Sequence, residues 1–438
     1  MHTLICDLDQ RERDALDLPE TPDVIVGREA LEASAPCRGC FRCWTETPGR
    51  CVMRDRLQDL GALLGATDRL DIISASCFGG YSPLVKRALD RALPYLHPNF
   101  RIVDGQMHHR LRYPQSLRQR IWLYGTRDDG ERTTFLGIAR ANEVNLGTQV
   151  EGIWFPERAR DAGRPDGALG ALGVGSPVTD APVLGAPGAP QRIALVNASP
   201  KAKGSATEHL LADFADALGA YARLSGSPVP KIIDAHCTLR GELSAPNARK
   251  GGVDLSSCEA IVIGYPLFVD ALPAHLTAWL ERAAREGALA SGTKLYAICN
   301  LGSYEAEQAL SSFGILRGFC HAAGVSWCGG LAIGGGGMIV PFAHSPRMGG
   351  MRRARSEGID ALIAAVRMGL TVQDANERFG REACGLDPSA ILARCPTPRA
   401  IYKLAAEALW RKLARANHAD LDAQPSYDLG AHAGTSGS

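Results

Sequence analysis

Short apolar runs with strand character alternate with helical patterns twice along this chain, and this alternation restricts the fold more than any other feature. The first series of strand-like runs covers 3–8, 23–27, 70–76, 120–125 and 149–155. The second series covers 192–198, 231–235, 260–265, 294–300 and 325–333. Strands that alternate with helices form parallel sheets with helices on both faces. The sequence therefore predicts two doubly wound α/β units, each with a five-stranded parallel sheet.

The chain of 438 residues is too long for one ordinary core, and its composition suggests where it divides. Residues 156–191 are rich in Gly, Ala and Pro and lack periodicity, which is typical of a linker. The predicted domains are therefore 1–155 and 192–340. The remainder, 341–438, is predicted to be a helical extension followed by a disordered, Gly-rich tail.

Charge and hydropathy exclude several classes of protein. The formal net charge of +1 gives no electrostatic reason to bind nucleic acid or an anionic membrane. No apolar run is long enough to span a membrane, and no secretory signal follows Met1, so we expect a cytoplasmic protein. The 13 cysteines are an odd number without an export signal, which indicates metal or redox use rather than a disulfide framework.

A polar loop, NASPKAKGSATEHLL, follows the first strand of the second series. In a doubly wound sheet this loop is the usual place for phosphate, because backbone N–H groups and a helix N-terminus meet there. Ser199, Ser205 and Thr207 would supply hydroxyl donors, and Lys201 would balance the charge. An ordinary turn with Ser205 or Thr207 as the helix N-cap explains the loop equally well. Neither a Walker ending nor G-x-G-x-x-G is present, so a nucleoside triphosphate or dinucleotide site is not favoured.

Two further loops lie at the same edge of the predicted sheet. Residues 266–269 follow the third strand, and residues 300–304 follow the fourth. A ligand with a planar ring, such as an isoalloxazine, could bind at this edge. It would need backbone donors at one side of the ring and apolar or aromatic side chains on its faces. Phe268 and Tyr304 could supply those faces, although core packing explains Phe268 taken alone.

Four cysteines form a compact C-x2-C-x2-C-x7-C motif in the first series: Cys37, Cys40, Cys43 and Cys51. Iron–sulfur clusters require such thiolate ligands. Structural zinc more often uses two separated C-x2-C pairs. The spacing favours an iron–sulfur cluster, while unligated thiols and zinc remain as alternatives.

The second series resembles the NADPH-dependent FMN reductase and iron–sulfur flavoprotein family, which has a flavodoxin-like fold. The resemblance covers 192–340 and rests on NASPKAKGSAT, YPLFVDALPAHL, NLGSYEAEQ and GVSWCGGLAIGGGGM, in that order. It implies that the FMN phosphate is held by Ser199, Lys201, Ser205, Ala206 and Thr207. It also implies that the flavin ring is surrounded by Pro266, Leu267, Phe268, Val269, Asn300, Gly302 and Tyr304. One departure is Ala198, where the family usually has Gly; its methyl group fits only if φ is negative.

The first series is similar to the iron–sulfur members of the same family. The similarity rests on the cysteine motif, on GGYS at 79–82 with the KRALDRALPYL that follows, and on GQMHHRLRY. It implies that Cys37, Cys40, Cys43 and Cys51 ligate a [4Fe–4S] cluster. Asp7 and Asp9 follow the first strand, however, and carboxylates repel a phosphate dianion. The first domain is therefore expected to have lost FMN. His108 and His109 are read as part of a surface turn.

These inferences combine into two flavodoxin-like domains that act as a flavin-dependent oxidoreductase. FMN would carry electrons from NAD(P)H to an unidentified small-molecule or protein acceptor, with or without a [4Fe–4S] cluster as relay. No catalytic side chain is assigned. One alternative is an electron carrier with FMN and Fe–S but no small-molecule turnover, and another is a zinc or thiol redox sensor on a relic fold. The molecule is expected to be a homodimer or to form the equivalent pair internally, with the Cys37–Cys51 loop approaching the flavin.

Overall fold

The structure is a computed structural model that describes residues 1–114, 116–163, 188–246 and 252–429. Most of the predicted linker (164–187) and most of the predicted tail (430–438) lie outside the described residues. Across the described ranges, the longest helices are too polar to traverse a bilayer. We call residues 1–163 the first half and residues 188–429 the second half.

The first half contains eight strands and six α-helices among its described residues. The strands are β1 (His2–Cys6), β2 (Val24–Val26), β3 (Arg69–Cys77), β4 (Gly80–Tyr81), β5 (Leu96–Val103), β6 (Gln106–Leu111), β7 (Leu117–Tyr124) and β8 (Thr148–Trp154). The helices are α1 (Gln10–Asp14), α2 (Arg28–Glu32), α3 (Arg42–Thr45), α4 (Leu60–Gly65), α5 (Pro83–Arg91) and α6 (Asp129–Leu146).

The second half contains seven strands and six α-helices among its described residues. The strands are β9 (Arg192–Asn197), β10 (Lys231–Cys237), β11 (Leu243–Ser244), β12 (Ala260–Pro266), β13 (Lys294–Asn300), β14 (Ser326–Ile333) and β15 (Ala390–Ala393). The helices are α7 (Ala206–Leu224), α8 (Ala274–Glu286), α9 (Leu310–Ala323), α10 (Arg353–Met368), α11 (Val372–Arg378) and α12 (Arg399–Ala416).

Both halves contain a five-stranded parallel sheet with the same strand order. The order is β2-β1-β3-β7-β8 in the first and β10-β9-β12-β13-β14 in the second. Each is the 2-1-3-4-5 order of flavodoxin-like folds. The predicted fold class is therefore confirmed. Three short strands attached to these two sheets were not predicted: β4 and β11 pair antiparallel with β3 and β10, and β15 adds a parallel strand beside β14.

The central strands of the second half are apolar because helices cover both faces of their sheet. Every residue of β13 and β14 is buried. Parallel strands covered on both sides have continuous apolar sequences rather than an alternating pattern. Because β9, β12 and β13 are parallel neighbours, their carboxyl ends meet at one edge of the sheet. The first strand–helix loop and its neighbouring loops lie at that edge.

The segment that contains His108 and His109 is a β-hairpin, so the predicted surface turn is wrong. β5 pairs antiparallel with β6, and His108 and His109 lie within β6. The turn itself is Asp104-Gly105, with φ of 48° and 77°. Two successive residues with positive φ form the type I′ turn that matches strand twist.

The two halves pack directly against each other through helices. α5 lies against α8, and α6 lies against α9. Gly314 and Gly318 make this approach possible on α9: a Cβ at Gly314 would lie 2.7 Å from Thr134 Oγ1, and one at Gly318 would lie 2.8 Å from the Phe78 carbonyl oxygen. Buried side chains of both halves, including Phe135 and Phe313, belong to one hydrophobic cluster. The halves therefore share a core.

The C-terminal extension packs back onto both halves. The predicted helical extension contains α10, α11 and α12 together with the strand β15. α12 lies across β5 and α3 of the first half. Its apolar side chains Ile401, Leu404, Leu409 and Leu413 are solvent-exposed, and the helix instead buries Tyr402, Glu407 and Ala414.

Candidate functional site

The loop between β9 and α7 contains the predicted phosphate-binding residues. Ser205 is the N-cap of α7, and its hydroxyl accepts a hydrogen bond from the Glu208 N–H at 3.1 Å. Ser199 is buried, and its Oγ accepts the Lys201 N–H at 3.2 Å. Ala198 is not among the residues with positive φ, so its methyl group fits the loop. The N-cap expected as the alternative for Ser205 is thus present, and the hydroxyl hydrogen of Ser205 remains a donor.

Apart from the Glu208 carboxylate, the charges around this loop suit an anion. Residues 201–204 are exposed and include Lys201 and Lys203. Ala206 begins a 19-residue helix whose positive end points at the loop. The Gly204 N–H donates to the Glu208 carboxylate at 2.5 Å. That carboxylate oxygen occupies a position in which an oxygen of a bound anion could accept the same hydrogen.

Thr207 connects the phosphate loop with the loop after β13. Its Oγ1 donates to Asn300 Oδ1 at 2.8 Å, and both residues are buried. Asn300 also pairs with Pro266 across the sheet, and its carbonyl oxygen accepts the Leu267 N–H at 2.9 Å. The structure therefore joins all three predicted loops through neighbouring contacts.

A cavity of ≈ 160 Å³ lies between the halves beside these loops. The second half contributes residues 267–270 and 301–303 to its wall. The first half contributes the opposite wall, chiefly Cys37, Gly39, Phe41, Trp44, Asp90, His109 and Asn145. The aromatic surface of the cavity thus comes mainly from the first half, which the sequence did not reveal.

Phe41 links this cavity to the phosphate loop. Its ring stacks on Trp44 with centroids 5.4 Å apart, and Lys201 Nζ lies 5.9 Å from the Phe41 ring centre. An ammonium group over an aromatic face is attracted to it. One side chain of the first half therefore contacts the cation of the phosphate loop and the wall of the cavity.

His109 faces the cavity as a neutral imidazole. Burial lowers the pKa of His109 to about 4. Its Nδ1 lies 3.1 Å from the Pro98 carbonyl oxygen, which can only accept, so Nδ1 carries the hydrogen. The ring packs against Trp44 with centroids 4.6 Å apart. His109 contributes a flat, uncharged surface at neutral pH.

Tyr304 lies against the C-terminal extension rather than on the cavity wall. Its hydroxyl donates to the Thr397 carbonyl oxygen at 2.9 Å, and Arg399 lies 5.4 Å from its ring centre. Tyr402 on α12 donates to the Gly302 carbonyl oxygen at 2.9 Å. The C-terminal extension therefore contacts the 300–304 loop through hydrogen bonds at Gly302 and Tyr304.

α12 also holds the first-half side of the cavity. The Glu407 carboxylate accepts the Phe100 N–H at 3.0 Å, and Trp410 packs within 5.5 Å of the Phe41 and Trp44 ring centres. Together with the bond from Tyr402, these contacts make α12 a strap across the two walls of the cavity.

The four cysteines of the compact motif line one small cavity of ≈ 20 Å³ next to the larger one. Cys37, Phe41, Asp90 and Leu93 line both cavities. The Gly39 N–H donates to Cys37 Sγ at 3.4 Å. The cysteine loop therefore lies beside the candidate ring site, at the position expected for an internal pair.

The residue types around this cysteine cavity suit a metal cluster, but their arrangement does not form a ligand set in this structure. Four thiols are the ligands that an iron–sulfur cluster uses. Burial raises the pKa of Cys37 to about 12 and that of Cys43 well above its usual value, so these groups are neutral thiols without a metal. Over the described ranges, no three or more His, Cys, Asp or Glu side chains converge as a metal site requires. The thiols are gathered but not arranged for a metal.

The corresponding loop of the first half is filled by its own carboxylates. Asp7 is buried, and it accepts hydrogen bonds from the Ala75 N–H at 2.9 Å and the Tyr124 hydroxyl at 3.1 Å. Asp9 caps α1, which has only five residues. These two carboxylates place negative charge where the second half has its predicted phosphate-binding loop.

Sequence reasoning missed the residues of the first half that contact the 266–271 loop: Lys86, Asn142 and Asn145. They lie on α5 and α6, and only the docking of the halves brings them to the loop. The apolar spacing of those helices predicts burial, but it does not indicate the partner.

Comparisons with known proteins place the chain near flavodoxin-like structures at low similarity. No protein family profile and no curated protein match the sequence. The chain is similar to an NAD(P)H:quinone oxidoreductase from Methanothermobacter marburgensis at 17% identity, covering 40% of this chain and 94% of that one, with a TM-score of 0.26. An azoreductase from Bacillus anthracis str. Sterne aligns at 14% identity over 43% of this chain and 99% of that one, with a TM-score of 0.25. A flavodoxin, WrbA-like protein from Agrobacterium tumefaciens aligns at 15% identity over 31% and 76%, with a TM-score of 0.24. The fold assignment therefore rests on the strand order itself.

Proposed function

We propose that this chain is an FMN-dependent oxidoreductase that transfers electrons from NAD(P)H to a small-molecule or protein acceptor. The proposal treats 1–155 and 192–340 as two flavodoxin-like domains that form one internal pair, with 341–438 as an extension. The observation that carries it is the joining of a cationic, hydroxyl-lined helix start to an aromatic cavity through Thr207 and Asn300. Bound FMN would supply the hydride and electron chemistry.

The residues present fit a phosphorylated flavin. The loop at 199–207 offers hydroxyls, two lysines and a helix N-terminus to a phosphate. The cavity offers flat apolar surfaces at Phe41 and Trp44 and backbone groups at 267–270 and 301–303 to a ring. The task of the chain is to orient the ring and exclude water from it.

Replacing Thr207 by Val is expected to weaken FMN binding by about 10-fold, because the buried Asn300 Oδ1 loses its donor, at a cost of ~1–3 kcal/mol. The test is titration of flavin-free protein with FMN, followed by quenching of flavin fluorescence. Thr277→Val is the matched control, since the hydroxyl of this buried threonine bonds locally, to the carbonyl oxygen of Pro273 one turn earlier. The proposal fails if the wild-type chain does not bind FMN.

One assay distinguishes an enzyme from an electron carrier. It measures the oxidation of NADPH or NADH in the presence of a quinone, free flavin or nitroaromatic acceptor. An FMN-loaded chain that consumes no nicotinamide above background would be an electron carrier. FMN binding and turnover are thus tested separately.

We further propose that the cysteine motif holds a [4Fe–4S] cluster as a relay to the flavin, and that the four thiols, which do not converge in this structure, draw together when the cluster binds. The support is the gathering of Cys37, Cys40, Cys43 and Cys51 around one cavity, and the residues that this cavity shares with the ring site. The residues that line both cavities would then lie between the two groups.

Anaerobically purified chain is expected to contain about four iron and four sulfide per molecule, the composition of a cuboidal cluster. Cys43→Ser should remove them, whereas Cys384→Ser, a partly exposed thiol outside the motif, should not. Zinc without iron would support the alternative of a zinc or thiol redox sensor. The absence of both metals would indicate unligated thiols.

A further inference from the structure

The loop after β12 has a backbone conformation that its own sequence does not favour. Val269 and Asp270 have φ of 46° and 55°, although neither is glycine. Successive left-handed residues of this kind are disfavoured and persist only when their surroundings hold them. Within the loop, Phe268 and Ala271 exchange both backbone hydrogen bonds at 3.1 Å, which closes a tight turn.

The groups that hold this turn come from the first half. Lys86 Nζ on α5 donates to the Phe268 carbonyl oxygen at 2.7 Å. Asn142 Nδ2 on α6 lies 3.2 Å from the Val269 carbonyl oxygen and 2.8 Å from Asp270 Oδ2. Three successive residues of the loop are thus bound by two helices of the other half.

The Asp270 carboxylate is the centre of these contacts. It is buried, and burial raises the pKa of Asp270 while the amides of Asn145 and Asn142 oppose that rise. Asn145 Nδ2 donates to both carboxylate oxygens, at 2.7 and 2.8 Å. A buried carboxylate without such donors would be costly.

The orientation of the Asn145 amide is itself fixed. His108 Nδ1 lies 2.7 Å from Asn145 Oδ1, and because an amide oxygen only accepts, His108 donates this hydrogen bond. The amide nitrogen of Asn145 must then face Asp270. The hairpin strand β6, helix α6 and the turn form one continuous chain of hydrogen bonds.

We propose that Asn142 and Asn145, with Lys86, are positioning residues that hold the 266–271 turn in the shape that receives the flavin ring. This proposal rests on the proposed FMN function. The first half, which lacks a phosphate loop, would then contribute to flavin binding by shaping a loop of the second half.

The experiment compares Asn145→Ala and Asn142→Ala with the wild-type full-length chain. Each is expected to raise the FMN dissociation constant about 10-fold, the usual effect of removing a hydrogen bond to a buried charge. In flavin-free protein, hydrogen exchange at the Phe268 and Ala271 amides should also accelerate about 10-fold or more, because the turn opens locally.

Arg127→Lys is the matched control. Arg127 is on the loop that leads into α6, pairs with the buried Glu131 carboxylate and donates to the Gly318 carbonyl oxygen at 3.2 Å. Lysine keeps the positive charge beside Glu131 but loses the fixed guanidinium contact between the halves, and neither residue touches the turn. It should change neither measurement by more than about twofold, as expected for a contact remote from the turn.

Wild-type exchange at Phe268 and Ala271 in both Asn variants would overturn the proposal, as would an equal loss in Arg127→Lys, which would indicate a general effect of the interface. If wild-type protein fails to bind FMN, the proposed function fails, and the exchange data alone still decide whether these residues hold the turn. If one Asn variant does not fold, the other carries the test.

Discussion

The variant Gly302→Phe is expected to bind FMN at least ~100-fold more weakly than the wild-type chain, a loss of ~2.7 kcal/mol. Gly302 lines the cavity of ≈ 160 Å³ between the halves. A Cβ at this position meets nothing within 4 Å, and its φ is not in the left-handed region. A phenyl ring can therefore extend into open space beside the ring site without disturbing the backbone.

The measurement pairs FMN titration with thermal unfolding. Unfolding should be unchanged in Gly302→Phe while flavin binding is lost. Gly385→Phe is the matched control, since a Cβ there also meets nothing within 4 Å and the site lies outside the cavity. Retention of wild-type affinity by Gly302→Phe would place the flavin elsewhere.

The variant Lys86→Met is expected to destabilise the chain by about 3–5 kcal/mol near pH 8. Lys86 and Asp90 form an ion pair on α5 with side chains that are each 2% exposed. Removing the ammonium group leaves the Asp90 carboxylate in the interior with the Ala274 N–H, at 2.9 Å, as its remaining donor. An unpaired buried charge is among the most costly defects in a protein.

This destabilisation should depend on pH in a defined direction. Burial raises the pKa of Asp90, and Lys86 is the first group that opposes the rise; the thiol of Cys37 lies nearby. Without Lys86 the folded pKa of Asp90 rises further above its unfolded value. The folded variant then binds a proton more tightly than the unfolded chain, so the cost is smallest at acidic pH and grows as pH rises through the folded pKa.

Urea unfolding at pH 5 and pH 8 measures this difference. Arg353→Met is the control, because Arg353 forms an ion pair of similar spacing with Glu357 that is solvent-exposed, and exposed pairs contribute little. A Lys86→Met variant with the same loss of stability at both pH values would contradict the assignment of a charged Asp90.

The sequence predicted the sheet strands and the helix start at Ser205 because both depend on local signals. Apolar runs of strand length define β9, β12 and β13, and the helix start at Ser205 follows from capping preferences. The hairpin of β5 and β6 was missed, although Asp104-Gly105 between two strand-like runs is a recognised signal for a tight turn.

The wall of the cavity could not be predicted in the same way. Phe41 and Asn145 lie more than 100 residues from Phe268 in the sequence, and nothing local to either indicates that they meet. The resemblance placed Tyr304 at the flavin ring. In the structure the C-terminal extension packs on Tyr304, whose hydroxyl donates a hydrogen bond to the Thr397 carbonyl oxygen. Such contacts depend on how preformed elements dock, which periodicity does not specify.

The strap formed by α12 has a consequence for biosynthesis. Tyr402 and Glu407 fasten the two sides of the cavity, yet the ribosome adds them after both sheets have been made. Domains generally fold as they emerge, N-terminal part first. A nascent chain stalled before residue 399 would carry both sheets and the phosphate loop without the fastening helix, so flavin insertion is expected late in translation or after release.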